Sequence, residues 1–199
     1  MGTAEGLFGY MAEAVGSPYN IIPPAMFIGF SGGIQHWGTV CGALVAPVAL
    51  ISGVVADKKI RGQMIDELMA WYIHHPFPEY QPHGFNLHKV AVGSTLCHIS
   101  VTKWINAANP PVTAGSKEKK LRCAGVAGDT AKKAVEILNA WADTGAFVAE
   151  HKPHSSVENC MGCHLDCEEP FTQGKENCMS CHGSSLIDIE KCTMHKDCI

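Results

Sequence analysis

The sequence lacks the features that mark nucleic-acid-binding proteins. Its formal net charge is −4 and its isoelectric point is about 6.2. No stripe of lysine and arginine runs along it, so nucleic acid is not an expected partner. One short basic run is interpreted as a solvated helix start, with the steering of an acidic redox partner as the alternative. It consists of Lys117, Lys119, Lys120 and Arg122.

A long apolar run is also missing. The most apolar stretch, residues 40–55, is shorter than the roughly 18 residues of a membrane-span candidate and contains Gly42 and Pro47, so it predicts a buried helix and no membrane span. Residues 1–16 show no basic region followed by an apolar core, and Gly6 breaks the myristoylation pattern. We therefore expect a mature chain from which any export signal has been removed.

Cysteine and histidine, in contrast, are abundant. The chain of 199 residues contains 10 cysteines and 11 histidines, which favours metal or haem binding over a disulfide framework at this length. The rest of the composition, 46% hydrophobic and 17% charged, is that of an ordinary globular protein.

Two copies of one cysteine motif lie near the C-terminus, at residues 160–164 and 178–182. Each has two cysteines separated by two residues and followed at once by histidine. This is the attachment pattern for haem c, in which the thiols form thioethers and the imidazole ligates the iron on the proximal side. The sequence therefore predicts two haem c groups. Their thioethers come from Cys160, Cys163, Cys178 and Cys181, and their proximal ligands are His164 and His182.

Two other uses of paired cysteines are less consistent with this pattern. Four thiolates at this spacing resemble a structural zinc ribbon, but a zinc ion that already has four thiolates leaves both histidines unexplained. Thioredoxin-like chemistry needs a strand before the motif and a helix after it, and no βαβ pattern surrounds these pairs.

Hydrophobic periodicity predicts a mainly α-helical fold. A helical N-terminal body, residues 1–149, is expected to precede an irregular, haem-wrapping C-terminal segment, residues 150–199, in which apolar periodicity disappears. Helices are predicted over residues 40–55, 58–73, 87–105 and 118–147. One apolar stripe, with a spacing of four residues, is interpreted as core and not as a cofactor site. It comprises Ile60, Met64, Leu68 and Tyr72.

Each haem iron needs a sixth ligand or an open position, and histidine on both sides is the economical expectation. Five histidines are candidate distal ligands, although not all of them are needed: His36, His98, His151, His154 and His195. Methionine is the rival donor, at Met161, Met179 or Met194. A methionine–histidine pair would raise the reduction potential relative to two histidines.

Six cysteines are not used by haem attachment. Cys167, Cys192 and Cys198 share the C-terminal segment and could form one disulfide plus a free thiol, or a second metal site. Three more lie on different predicted helices of the body, where buried cysteines acting as small hydrophobic residues are the alternative to a metal site. These are Cys41, Cys97 and Cys123.

Three stretches of the body resemble a redox-active family named for its cysteine pattern of Cys, Gly-Cys-Ala and two later cysteines. The stretches are residues 32–44, residues 93–97 and Cys123 ahead of a helix. This domain followed by two haem c motifs is similar to split-Soret cytochrome c of sulfate-reducing bacteria. One difference is that no cysteine is found near Tyr19 or Asn20, where the family pattern begins.

The resemblance implies a homodimer with four haems gathered at one end and histidines on both faces of each iron. It also implies that one histidine crosses from one subunit to ligate a haem of the other. Body cysteines would hold an iron–sulfur cluster, and the candidates here are Cys41, Cys97 and Cys123. Three thiolates are one short of the usual four.

The function expected from these observations is electron transfer by a periplasmic dihaem cytochrome c with two low-spin haems, since bacteria attach haem c outside the cytoplasmic membrane. The partner proteins are expected to be redox proteins of unspecified identity, and the chain is expected to be a carrier more than an enzyme. The alternatives are a haem-based small-molecule reductase with an open iron site, and a zinc-stabilised interaction module.

Overall fold

The computed structural model describes residues 1–82, 84–152, 154–158, 174–177 and 179. The chain divides into two compact units, Met1–His151 and Lys152–Ile199. The first unit is mainly α-helical, as predicted. It opens with three short helices, α1 (Gly2–Ala4), a π-helical turn (Glu5–Gly9) and α2 (Tyr10–Ala14), and two 3-10 turns, Tyr19–Ile21 and Pro24–Phe30. The longer elements are α3 (Gly42–Val54), α4 (Lys58–His74), β1 (Pro76–Phe77), β2 (Val90–Ala91), α5 (Cys97–Asn106) and α6 (Lys117–Thr144).

The ends of α4 and α6 follow from local chemistry. The Asp57 carboxylate accepts a hydrogen bond from the Ile60 amide at 2.8 Å at the start of α4, and the Ser116 hydroxyl does the same for α6. Such caps satisfy backbone donors that the first helical turn leaves free. Proline after His75 ends α4, and Gly145, with a φ of 69°, ends α6 in the left-handed conformation. Both helices were predicted to within a few residues.

The start of α5 differs from the prediction. A helix was expected from residue 87, but β2 pairs antiparallel with β1, and α5 begins only at Cys97. Between them Gly93 has a φ of 67°, and its amide donates to the carbonyl of Ile73 at 2.8 Å. The helix prediction over residues 87–96 is wrong because the backbone there bonds to a segment distant in sequence.

Helices α3, α4 and α6 pack against one another around the main core. Met64, Leu68 and Tyr72 of the predicted stripe are fully buried there, and Ile60 packs at the edge, so the interpretation of this stripe as core is confirmed. A second core joins the N-terminal turns to α3 and α6. Its buried residues are Ala4, Leu7, Phe8, Phe27, Ala46, Leu50 and Ala134. Among the described helices, none has the length and apolar character needed to cross a membrane.

Candidate functional site

The starts of α3 and α5 lie side by side in the first unit. The amide of Cys41 donates to the carbonyl of Thr95 at 2.8 Å, and the amide of Cys97 donates to the carbonyl of Thr39 at 2.7 Å. One antiparallel bridge lies between these two hydrogen bonds. The two cysteines, 56 positions apart in the sequence, are therefore held on adjacent backbone segments.

Both cysteines occupy helix N-termini. Cys41 is the residue that precedes α3, and Cys97 is the first residue of α5. A helix N-terminus carries a partial positive charge and free backbone N–H groups, so it stabilises a thiolate or another anion. Here the N-termini of α3 and α5 lie beside the thiols of Cys41 and Cys97.

Cys123 joins this pair from α6. All three cysteines are half-buried free thiols, and the charge of Cys123 raises the pKa of Cys97, which places the two within electrostatic reach of each other. Among the described residues, the donor atoms of Glu67, Glu150 and His151 all lie within 4.8 Å of one another, as the ligands of one metal ion would. The three cysteines do not form such a group. At least two of the three sulfur atoms are therefore more than 4.8 Å apart.

The thiols of Cys41 and Cys97 titrate as a pair. The adjacent Cys97 thiol, helped by the Tyr72 hydroxyl and the charge of Arg122, outweighs the effect of burial and lowers the pKa of Cys41 to about 6. The hydrogen bond to Cys41, together with burial, raises the pKa of Cys97. At neutral pH the pair therefore holds one negative charge, and the thiolate is the form of cysteine that binds metal.

Behind the thiols lies a buried polar network. The hydroxyls of Tyr72 and Ser100 are 3.1 Å apart, and Arg122 donates from Nη2 to Ser100 Oγ at 2.7 Å. Tyr72 and Ser100 are completely buried, and Arg122 is 1% exposed. Burial and the charge of Cys41 raise the pKa of Tyr72, so its hydroxyl stays protonated. Three helices, α4, α5 and α6, each contribute one polar group to this network.

The burial of Arg122 corrects the interpretation of the basic run. Lys117 and Lys120 are exposed at the start of α6 as expected, but Arg122 is not solvated. It lies on the side of α6 that Val126, Thr130 and Ala134 continue at a spacing of four residues. That spacing was the sequence signal that could have identified it.

Two candidate distal ligands have their Nδ1 atoms held by acceptors. Nδ1 of His98, directly after Cys97, lies 2.8 Å from the carbonyl of Gly38. Nδ1 of His151 lies 2.7 Å from the Glu67 carboxylate. Carbonyl and carboxylate oxygens only accept, so each Nδ1 carries the proton and each Nε2 has a free lone pair in the neutral ring. Metal-ligating histidines commonly have this arrangement.

Glu67 was missed by the sequence analysis, although it organises the end of the first unit. Its carboxylate is 1% exposed and accepts from the amides of Glu150 and His151, each at 2.8 Å. Lys133 Nζ lies 3.2 Å away. Burial alone would raise the pKa of Glu67, but the hydrogen bonds from His151 and the ion pair with Lys133 outweigh it and hold the pKa below its ordinary value.

The other candidate histidines differ. His154 Nδ1 lies 3.1 Å from the amide of Ser156, which can only donate, so in this arrangement the ring proton of His154 belongs on Nε2. His36 is exposed, with a φ of 69°, in the loop before α3. The predicted haem-attachment and proximal residues, together with one distal candidate, lie outside the described residues: Cys160, Cys163, His164, Cys178, Cys181, His182 and His195.

Comparison with known proteins agrees with the cysteine arrangement of the body. Residues 1–137 match the family described as "Putative redox-active protein (C_GCAxxG_C_C)". Split-Soret cytochrome c of Desulfovibrio desulfuricans is 36% identical over 171 residues, which cover 82% of this chain and 60% of that protein. The present chain thus spans less than two thirds of the length of that relative.

A solved structure has the same fold. It is that of split-Soret cytochrome c from Desulfovibrio desulfuricans ATCC 27774, described as having a novel iron centre, and it is 35% identical with a TM-score of 0.83. The match covers 92% of this chain and 78% of the other. The expected resemblance to this cytochrome is therefore confirmed. The chain belongs to the C_GCAxxG_C_C family of redox-active proteins and is a homologue of split-Soret cytochrome c.

Proposed function

We propose that this protein is a periplasmic electron carrier with two covalently attached c-type haems and an iron centre in its helical body. The observation that carries the proposal is the pair of haem c motifs, at residues 160–164 and 178–182, in a homologue of split-Soret cytochrome c. Thioethers would form at Cys160, Cys163, Cys178 and Cys181, with His164 and His182 as proximal ligands.

Histidine is the proposed sixth ligand of each haem. Of the candidates in the described residues, His98 and His151 are favoured because an acceptor holds the Nδ1 proton of each ring. This leaves Nε2 as a donor to iron and fixes the orientation of the ring. His154 is disfavoured because the Ser156 amide donates to its Nδ1. Two imidazoles on one iron give a low-spin haem that exchanges electrons without binding a substrate.

The proposed iron centre of the body takes its ligands from Cys41, Cys97 and Cys123. The donor set fits iron, because thiolates are its usual protein ligands in iron–sulfur centres, and the pKa of Cys41 is lowered to about 6. Two helix N-termini and the Arg122 guanidinium supply positive charge around an anionic centre. When bound, iron would accept or donate one electron, while the protein would orient the thiolates and place the buried polar network of Tyr72, Ser100 and Arg122 behind them.

We further propose that the protein acts as a homodimer in the periplasm, with one distal histidine reaching a haem of the partner subunit. Support comes from the homology to split-Soret cytochrome c and from the fact that bacteria attach haem c outside the cytoplasmic membrane. Its redox partners would be other electron-transfer proteins.

Metal analysis of the purified protein tests the proposal. We expect two haems per chain that remain attached after denaturation, a low-spin EPR spectrum and additional non-haem iron. Replacing Cys41, Cys97 and Cys123 together by serine should remove the non-haem iron and leave both haems. Replacing Cys192 by serine tests the second metal site considered for the C-terminal segment, and it should leave the non-haem iron in place. A denatured chain free of haem, or zinc in place of iron, would overturn the proposal.

A further inference from the structure

Arg122 is a buried cation without a carboxylate partner among the described residues. Its Nη2 donates to the hydroxyl of Ser100 at 2.7 Å and to the carbonyl of the same residue at 3.4 Å. Both acceptors are neutral. Its Nε has no hydrogen-bond partner although the atom is buried. Burying a guanidinium is strongly unfavourable unless a negative charge lies near it.

The groups near this cation are those of the cysteine site. Arg122 immediately precedes Cys123 on α6, and its charge acts on both Cys41 and Cys97. Tyr72, which hydrogen-bonds to the Ser100 hydroxyl, also contacts the Cys41 thiol. Ser100 therefore fixes the guanidinium through one bond and connects it to the thiol pair through Tyr72.

We propose that Arg122, held in place by Ser100, is the built-in counter-charge of an anionic iron–thiolate centre at Cys41, Cys97 and Cys123, and raises its reduction potential. This inference rests on the iron centre under Proposed function. Three thiolates bring three negative charges to the site, and a single fixed cation offsets part of them. This role accounts for a buried guanidinium whose hydrogen bonds go to neutral acceptors.

The direction of the effect follows from charge. When an external one-electron donor is oxidised and its electron enters the centre, one ferric ion becomes ferrous and the site gains one negative charge. A fixed cation in a site of low dielectric constant stabilises the reduced form more than the oxidised form. The reduction potential is therefore higher with Arg122 than without it. Arg122 is a positioning residue of the centre and not one of its ligands.

The experiment is a potentiometric titration of the whole protein, with the non-haem iron followed by EPR and the haems by absorbance. Arg122→Gln should lower the equilibrium constant for reduction of the non-haem centre by about tenfold or more, which is about 59 mV for one electron. Both haem potentials should stay unchanged. Arg122→Lys should retain most of the wild-type potential. The matched control is Lys120→Gln, which removes one exposed positive charge from the same helix and should leave all three potentials unchanged.

Each outcome decides the inference. An unshifted non-haem potential in an iron-loaded Arg122→Gln protein overturns it and leaves the iron centre intact. If the Arg122→Gln protein loses its non-haem iron but the Arg122→Lys protein retains it, the positive charge at this position is what matters, and the inference is supported. If both variants lose the iron while their far-UV CD spectra are unchanged, the shape of the arginine side chain is what matters, and the inference is overturned. Wild-type protein without non-haem iron overturns the proposed centre itself, and this inference with it.

Discussion

Glu67 offers the sharpest test of how the first unit is held together. Its carboxylate, 1% exposed, accepts from two backbone amides at the end of the unit and from His151 Nδ1 at 2.7 Å, and pairs with Lys133. Glu67→Ala removes the acceptor that these donors share. The two amides then lose this partner, and the charge of Lys133, with a side chain 14% exposed, loses this counter-charge.

The magnitude follows from the loss of a buried pair. Removing one partner of a buried ion pair costs about 3–5 kcal/mol. Partial exposure of Lys133 and His151 favours the lower limit, about 3 kcal/mol, because water can reach the remaining groups. For a domain of this size, each kcal/mol lowers Tm by about 2–4 °C, which gives a decrease of about 6–12 °C. Glu67→Gln, which keeps the shape and one acceptor, should cost about half as much.

The loss of stability caused by Glu67→Ala should become smaller as the pH falls. The pKa of Glu67 lies below its ordinary value of 4.5 in the folded protein. The carboxylate therefore stabilises the fold at pH values above the ordinary pKa, and this stabilisation is lost as the pH falls through the lower folded value. The stability difference between the wild type and Glu67→Ala should be largest near neutral pH and shrink on acidification.

Urea denaturation followed by far-UV CD, at neutral pH and at several acidic pH values, measures this difference. The control is Glu136→Ala, which removes a carboxylate 54% exposed and paired with Lys132 at 3.8 Å, and it should cost at most about 1 kcal/mol. The reasoning is refuted if Glu67→Ala is as stable as the control, or if its deficit is the same at every pH.

Three further predictions concern α6 and can be measured by the same denaturation. Gly125→Ala should destabilise the fold by about 1–3 kcal/mol, because the new Cβ would lie 2.5 Å from Pro78 Cβ. Gly128→Ala, whose new Cβ would have nothing within 4 Å, should stabilise the fold by up to about 1 kcal/mol. Equal effects of the two substitutions would contradict the close approach of Gly125 to Pro78. Asp129→Ala should cost about 2 kcal/mol, because the buried carboxylate accepts from two loop amides at 2.7 and 2.9 Å, and a neutral result would contradict this. Ser116→Ala should cost about 1 kcal/mol by removing the helix cap, and Ser116→Asp should restore it.

The sequence predicted those parts of the fold that depend on neighbours in the chain. The ends of α4 and α6 follow from an N-terminal acceptor and from a proline or glycine at the other end, and the apolar stripe through Leu68 follows from helical periodicity. The start of α5 could not be predicted in this way, because β2 pairs with β1, and β1 precedes β2 by more than ten residues. Local pattern has no information about such a partner.

In the candidate site, too, features that depend on contacts between distant parts of the chain could not be predicted from the sequence. The family resemblance singled out Cys41, Cys97 and Cys123, but the closeness of the first two depends on backbone hydrogen bonds across 56 positions. Arg122 looked like a member of a solvated run because its partner, Ser100, lies 22 residues away on another helix. Glu67 had no sequence signal, since the donors to its carboxylate at residues 150 and 151 lie 83 and 84 residues further along the chain.

Glu67 and Arg122 differ in how their charges are compensated, and that difference bears on function. Buried charges persist in proteins when they are paired or bind metal. The negative charge of Glu67 meets Lys133 and His151 within the polypeptide, so its role is complete without a cofactor. The positive charge of Arg122 meets neutral hydrogen-bond acceptors and acts on the thiols of Cys41 and Cys97, so its compensation within the polypeptide comes from the one thiolate that this pair holds at neutral pH. Because metal binding ionises thiols, a metal bound at these cysteines would add negative charge near Arg122, whereas Glu67 would be unaffected by it.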